Sequence, residues 1–269
     1  MGAAQSQQSV EPNGEFAGQR VVVAGGTSGV GLATGIAYAE AGCTDLVLVG
    51  RNEERGKLAV EAVLDRAPGA RVEFVSADLN EPDGALEAAA TAARIMGGID
   101  VLVCSTVAPY QPTLLHDIAI EQLRDVLVQQ ALGPLLMTRA VLPYLRAQGA
   151  GAIVNIASDA AKVPTPGETG IGAAMAAIVT FSQTLAVEAK RDGIRVNVLT
   201  PSLIVNTASY DRAMAQEFSK RIFDKITRQA ALGLTEPEDL AEAALFLTSP
   251  RSRRITGQVL SVNGGISVA

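Results

Sequence analysis

The residues best suited to chemistry in this chain begin with a glycine-rich turn, Gly25-Gly26-Thr27-Ser28-Gly29-Val30-Gly31. Three β-branched residues, Val21 to Val23, precede it, and Leu32, Ala33, Ile36 and Ala37 follow at helical spacing. Strand, glycine turn and helix in that order is the setting in which such glycines carry meaning. They let the backbone bend tightly and approach a pyrophosphate, whose charge is favoured by the free N–H groups and dipole of a helix start. The spacing Gly25-x3-Gly29-x-Gly31 also suits a tight turn without a ligand. A second feature is Arg51-Asn52, directly after the apolar run Val47-Leu48-Val49. An acidic residue there would hold a ribose 2′-hydroxyl, whereas a guanidinium suits a 2′-phosphate. NADP(H) is therefore expected over NAD(H), with a solvated arginine at a helix start as the plainer reading. A third is Asp78, placed either to accept from an adenine amino group or to cap the following helix.

Positioning these groups requires a particular framework. Of the 269 residues, 48% are apolar and only 4% aromatic, so alanine, valine and leucine must fill the core. Apolar runs at 20–24, 45–49, 71–76, 100–104, 151–157, 194–199 and 258–262 read as strands. Helical patterns fit at 29–42, 52–66, 83–96, 117–147, 169–191 and 236–248. Such alternation predicts a single α/β domain over 19–269, a doubly wound parallel seven-stranded sheet with helices on both faces. Ligands of these sheets bind at the carboxyl ends of the strands. The segment 204–232, with Met214, Phe218, Ile222 and Ile226 at four-residue intervals, suits a helical lid over a hydrophobic substrate or simple packing on the core.

The formal charge of −6 argues against general binding of nucleic acid or anionic membranes. No uninterrupted apolar run reaches about 18 residues, so no membrane span is predicted. Residues 1–18 are polar, lack a secretion-signal core and read as a flexible tail on a cytoplasmic protein. Cys43 and Cys104 form no metal-like cluster with histidine and read as buried thiols, and no metal site is expected.

Taken together, residues 18–269 resemble the short-chain dehydrogenase/reductase (SDR) family. The resemblance rests on the three glycines, Asp78-Leu79, Gly151-Ala152-Ile153-Val154-Asn155-Ile156-Ala157-Ser158, Gly193-Ile194-Arg195-Val196-Asn197, Pro201 with Thr207 downstream, and Ile255-Thr256-Gly257-Gln258 with Gly264-Gly265. It implies a Rossmann-type domain, a nicotinamide cofactor and frequent tetramers, so a homotetramer or homodimer is expected. It adds Leu79, Ser105, Thr106, Pro201 and Thr207 to the cofactor-binding set of Gly25, Thr27, Ser28, Gly29, Val30, Gly31, Arg51, Asn52 and Asp78. It also assigns Ser158 the role of orienting a carbonyl.

The remaining catalytic positions depart from the family pattern. Ile171 and Met175 stand where the resemblance places a proton-donating Tyr and its partner Lys, and Gln130 stands for a water-holding Asn. Neither an isoleucine nor a methionine can donate a proton. Glu168 is one substitute, since partial burial would raise its pKa, although it also suits helix capping. Asp159, Lys162, His116 and Tyr110 are weaker candidates, each with a structural alternative. Three readings stay open. One is an NADP(H)-dependent reductase acting on a cyclic, imine, enoyl or acyl-CoA-like substrate. Another is a non-redox isomerase, hydratase or lyase using Glu168 and Ser158. The third is a cofactor-binding pseudoenzyme.

Overall fold

The computed structural model describes residues 14–269. Its strands are β1 (Arg20–Ala24), β2 (Asp45–Gly50), β3 (Arg71–Ser76), β4 (Val101–Cys104), β5 (Gly151–Ile156), β6 (Ile194–Pro201) and β7 (Val259–Val262). All pair in parallel in the order β3-β2-β1-β4-β5-β6-β7. The order reverses direction at β1, which lies between β2 and β4, and this is where a doubly wound sheet opens a crevice.

Along β1 the side chains alternate between two cores. Val22 and Ala24 join one cluster and Val21 and Val23 the other, all fully buried. The first core is closed by α3 (Pro82–Met96), α5 (Gly133–Gln148) and α6 (Thr169–Ala189), through residues such as Ala88, Met137 and Leu185. The second is closed by α1 (Gly29–Glu40), α2 (Glu53–Arg66) and α9 (Pro237–Thr248), through Tyr38, Val63 and Leu240. Alanine at the facing positions lets the helices approach the sheet closely, which is how a chain poor in aromatics fills its interior.

Three sequence expectations change. The single helix expected over 117–147 is divided into α4 (Ile120–Leu127), a wide π turn over Val128–Leu132, and α5. Pro134 has no N–H to give the carbonyl four residues back, so the regular ladder cannot run through this point. The widened turn carries Gln130, 4% exposed, to the carboxyl ends of the strands. The tail expected over 1–18 is shorter at its inner end. Phe16 is 1% exposed, packs edge-on against Tyr38 with ring centroids 4.8 Å apart, and donates its backbone N–H to Ala41 O at 3.2 Å. Residues 1–13 of that expectation lie outside the described residues. Finally, 204–232 holds two helices, α7 (Ala208–Ala215) and α8 (Glu217–Thr227), whose Met214, Ile222 and Ile226 pack on Leu203, Ala213 and Phe223.

α6 is the one helix among the described residues long and apolar enough to cross a membrane by composition. It lies on β6 and against α4, as a core helix of the fold does. Cys43 and Cys104 are free and buried, and desolvation pushes both thiols up to about 12.

Candidate active site

A cavity of about 530 Å³ runs across the carboxyl ends of the strands, from β2 and β3 to α7 after β6. With strands about 4.8 Å apart, β2 and β5 are separated by roughly 14 Å, so the two ends of the cavity meet different parts of an elongated ligand.

The glycine turn forms its near wall, and the surrounding backbone dictates the glycines. Gly25 has φ +79°, and a Cβ there would lie 2.7 Å from Ser105 O. A Cβ on Gly31 would lie 2.1 Å from Gly25 O, so this residue lets α1 close on the turn and does not itself line the cavity. Gly29 has φ +51° and faces open space bounded by Thr207, whose Cγ2 would be 3.5 Å from an added Cβ. Ser28 occupies the α1 N-cap without making a side-chain cap, and no acidic residue follows in the first turn. The first N–H groups of α1 therefore keep their capacity for an anion. Thr27, Ser28, Val30, Ser105, Thr106, Leu79, Pro201 and Thr207 complete this part of the wall.

At the β2–β3 end stand Arg51 and Asp78, with Arg51 Nη1 4.0 Å from Asp78 Oδ2. Both are substantially exposed, so the pair is loose and open to exchange for a ligand. Asp78 does not cap α3, a position taken by Glu81. The Asn52 side chain accepts the Arg55 N–H at 2.8 Å as the α2 cap, and Asn52 does not line the cavity. Arg55 does line it.

The far end gathers Ser158, Glu168, Ile171, Met175, Gln130 and Tyr110. Ser158 Oγ accepts the Ala160 N–H at 3.2 Å, which leaves its hydroxyl proton for a ligand. Glu168 occupies the N-cap position of α6, but its side chain makes no capping bond, and it lines the cavity. Burial, reinforced by the charge of Asp159 and opposed by the Thr165 hydroxyl, raises its pKa above the usual glutamate value. Beside it, a chamber of about 120 Å³ shares Tyr110, Gln111 and Ile171 with the main cavity.

The other candidates lie elsewhere. Asp159 is 5% exposed and turned away, with Oδ2 accepting from Asn263 Nδ2 and from Ser267 Oγ at 2.9 Å. Lys162, read from the sequence as a loop charge, donates to Ser261 Oγ and Ala269 O, each at 2.5 Å, and its Nζ is 3.9 Å from Asp159 Oδ1. The two fasten the last residues to the loop after β5. His116 is 77% exposed beside Asp117 and is not in the cavity wall. Among the described residues, no group of three or more His, Cys, Asp or Glu side chains is placed to hold a metal ion.

A family model described as enoyl-(acyl carrier protein) reductase matches residues 24–267. A glucose 1-dehydrogenase of Gluconobacter oxydans is 32% identical over 94% of this chain and 93% of its own length. A 3-oxoacyl-[acyl-carrier-protein] reductase of Chlamydia muridarum is 33% identical over 95% of this chain and 100% of its own. The chain belongs to the short-chain dehydrogenase/reductase family. The solved L-sorbose reductase of Gluconobacter frateurii, complexed with NADPH and L-sorbose, superposes with a TM-score of 0.85 at 29% identity, covering 94% of this chain and 98% of that one. SDR proteins are oxidoreductases of small molecules that use NAD(H) or NADP(H). The geometry here fits such a dinucleotide: an uncapped helix start, an open turn facing Thr207, and the Arg51 guanidinium beside Asp78 with Arg55 also in the wall.

Proposed function

We propose that the protein is an NADP(H)-dependent SDR oxidoreductase with non-standard catalytic residues. The observation that carries this reading is the make-up of the far end. Ile171 and Met175 line the wall beside Ser158, where the SDR resemblance places a tyrosine and a lysine. The glycine turn and Thr207 would hold the diphosphate, Arg51 and Arg55 the 2′-phosphate, and Asp78 the adenine. When bound, the cofactor supplies or accepts a hydride. Ser158 donates a hydrogen bond to the acceptor atom of the substrate, Gln130 orients the neighbouring polar group, and the protonated fraction of Glu168 supplies the proton. General acid–base help contributes about 10²–10⁴ in rate, and without a tyrosine at position 171 the oxyanion of a ketone lacks a donor placed on it, which favours substrates that need no proton on oxygen. A hydrophobic cyclic iminium meets that condition, because hydride addition leaves a neutral amine; an enoyl or acyl-CoA-like substrate would instead form an enolate, protonated at carbon by Glu168 or water.

The test is oxidation of NADPH followed across a cyclic imine, an enoyl thioester and a cyclic ketone. The imine or the enoyl substrate should turn over, with the ketone about 10²-fold slower or more. Equal turnover of the ketone would overturn the reading. Burial of Glu168 favours one second reading, non-redox acid–base catalysis by Glu168 and Ser158. It would show as turnover with no change in the nucleotide, lost in Glu168→Gln.

Three further features belong to this proposal. Residues 14–269 act as one domain in which α7 and α8 close over the substrate. The exposed small residues of α6, Ala173 and Ala177, form the contact of a homotetramer or homodimer. The free thiols suit a reducing, cytoplasmic setting.

A further inference from the structure

The lid segment carries five cations: Arg212, Lys220, Arg221, Lys225 and Arg228. Only Arg212 lines the cavity. Lys220 and Arg221 are exposed, and Arg221 lies 3.5 Å from Glu217 on its own helix. Among the described residues, Arg212 has no carboxylate within 4.0 Å, and Nη2 makes its one side-chain hydrogen bond, to Ser209 Oγ at 3.0 Å. Its Nε is buried with no partner at all. A guanidinium has five donors in a planar fork, and a buried donor left unmatched is costly. The Ser209 bond fixes the fork at one corner and leaves the Nη1 donors unbonded.

We propose that Arg212 is the anchor for a carboxylate carried by the substrate. This rests on the reading of the far end as the substrate site. A carboxylate matches the fork with two parallel charge-assisted bonds, which a neutral amide or hydroxyl cannot make. The only other ionisable side chain of the wall at this end that is an acid is Glu168, whose burial favours its neutral form. Arg212 is the one cation of the wall at this end among the described residues, so an acid is preferred over its neutral isostere. The remaining charges of the wall, Arg51, Arg55 and Asp78, belong to the β2–β3 end. The substrate class narrows to a hydrophobic or ring-bearing acid whose reacting atom lies at Ser158 and whose carboxylate lies under α7.

The test is calorimetric titration of the NADP⁺-loaded protein with benzoate and hexanoate against benzamide and hexanamide, for the wild type, Arg212→Gln and Arg212→Lys. The acids should bind about tenfold or more tightly than the amides. Arg212→Gln should erase that preference, Arg212→Lys should restore part of it, and NADPH affinity should stay within about twofold in both. Equal binding of acids and amides to the wild type overturns the proposal. A tenfold loss of NADPH affinity in Arg212→Gln also overturns it, because the arginine would then hold the cofactor diphosphate. If no nucleotide binds, the cofactor reading falls instead, and the same acid–amide comparison on the free protein still decides Arg212.

Discussion

Glu168 shows how little a residue's position in sequence says about its task. It stands at a helix start, where a carboxylate suits a cap, yet its side chain caps nothing and is half-buried in the cavity wall. Burial favours the protonated form in the fold. The stability this group contributes is therefore complete below the unfolded value of about 4.3 and declines as pH climbs through the raised folded value. Glu168→Gln removes that decline. Its melting temperature should equal that of the wild type at acid pH and exceed it increasingly above pH ~5, levelling once the folded value is passed. A variant less stable than wild type at neutral pH would show that the carboxylate is held ionised. The residues of the glycine turn were legible because backbone geometry leaves no other choice: a methyl group at Gly31 would collide with Gly25 O. Asn52, Asp159 and Lys162 were not, since a sequence does not tell which side of a loop a polar side chain takes.

Strands and most helices were readable because burial on both faces demands unbroken apolar runs, as in Val21 to Ala24. The π turn within the helix expected over 117–147 lies just before Pro134, which has no donor for the Gln130 carbonyl, and it seats Gln130 at the site. The anchoring of the last residues was invisible for another reason: its partners, Asp159 and Ser267, are 108 positions apart. Asp159 Oδ2 holds Asn263 and Ser267 while Lys162 holds Ser261 and the Ala269 carbonyl. Asp159→Ala leaves those donors unmatched, each at a cost of about 1–3 kcal/mol. Amide hydrogen exchange should accelerate by about tenfold or more across 263–269 and stay unchanged in β1 and β4. Unchanged exchange at 263–269 would assign the anchoring to Lys162 alone.

On the scale of the whole molecule, strand order does the placing. Because β1 separates β2 from β4, the glycine turn, Arg51 and Ser105 converge on one crevice, and Ser158 reaches the same cavity from β5. One face of the molecule remains to be covered. Ala173, Ala177, Thr180 and Thr184 are exposed along α6 at helical spacing, with Val187 62% exposed at the end of the stripe. Small side chains there allow two copies of α6 to approach closely. Light scattering should find a dimer or tetramer for the wild type and a monomer for Ala177→Arg, whose bulk and charge bar that approach. A monomeric wild type would rule out this contact.

What the crevice grips decides the cofactor. Titrating the purified protein with NADPH and NADH, alongside Arg51→Ala, measures this. NADPH should bind about tenfold or more tightly than NADH, and Arg51→Ala should shrink that ratio while leaving NADH affinity nearly unchanged. Binding of neither nucleotide, or tighter binding of NADH, would contradict it.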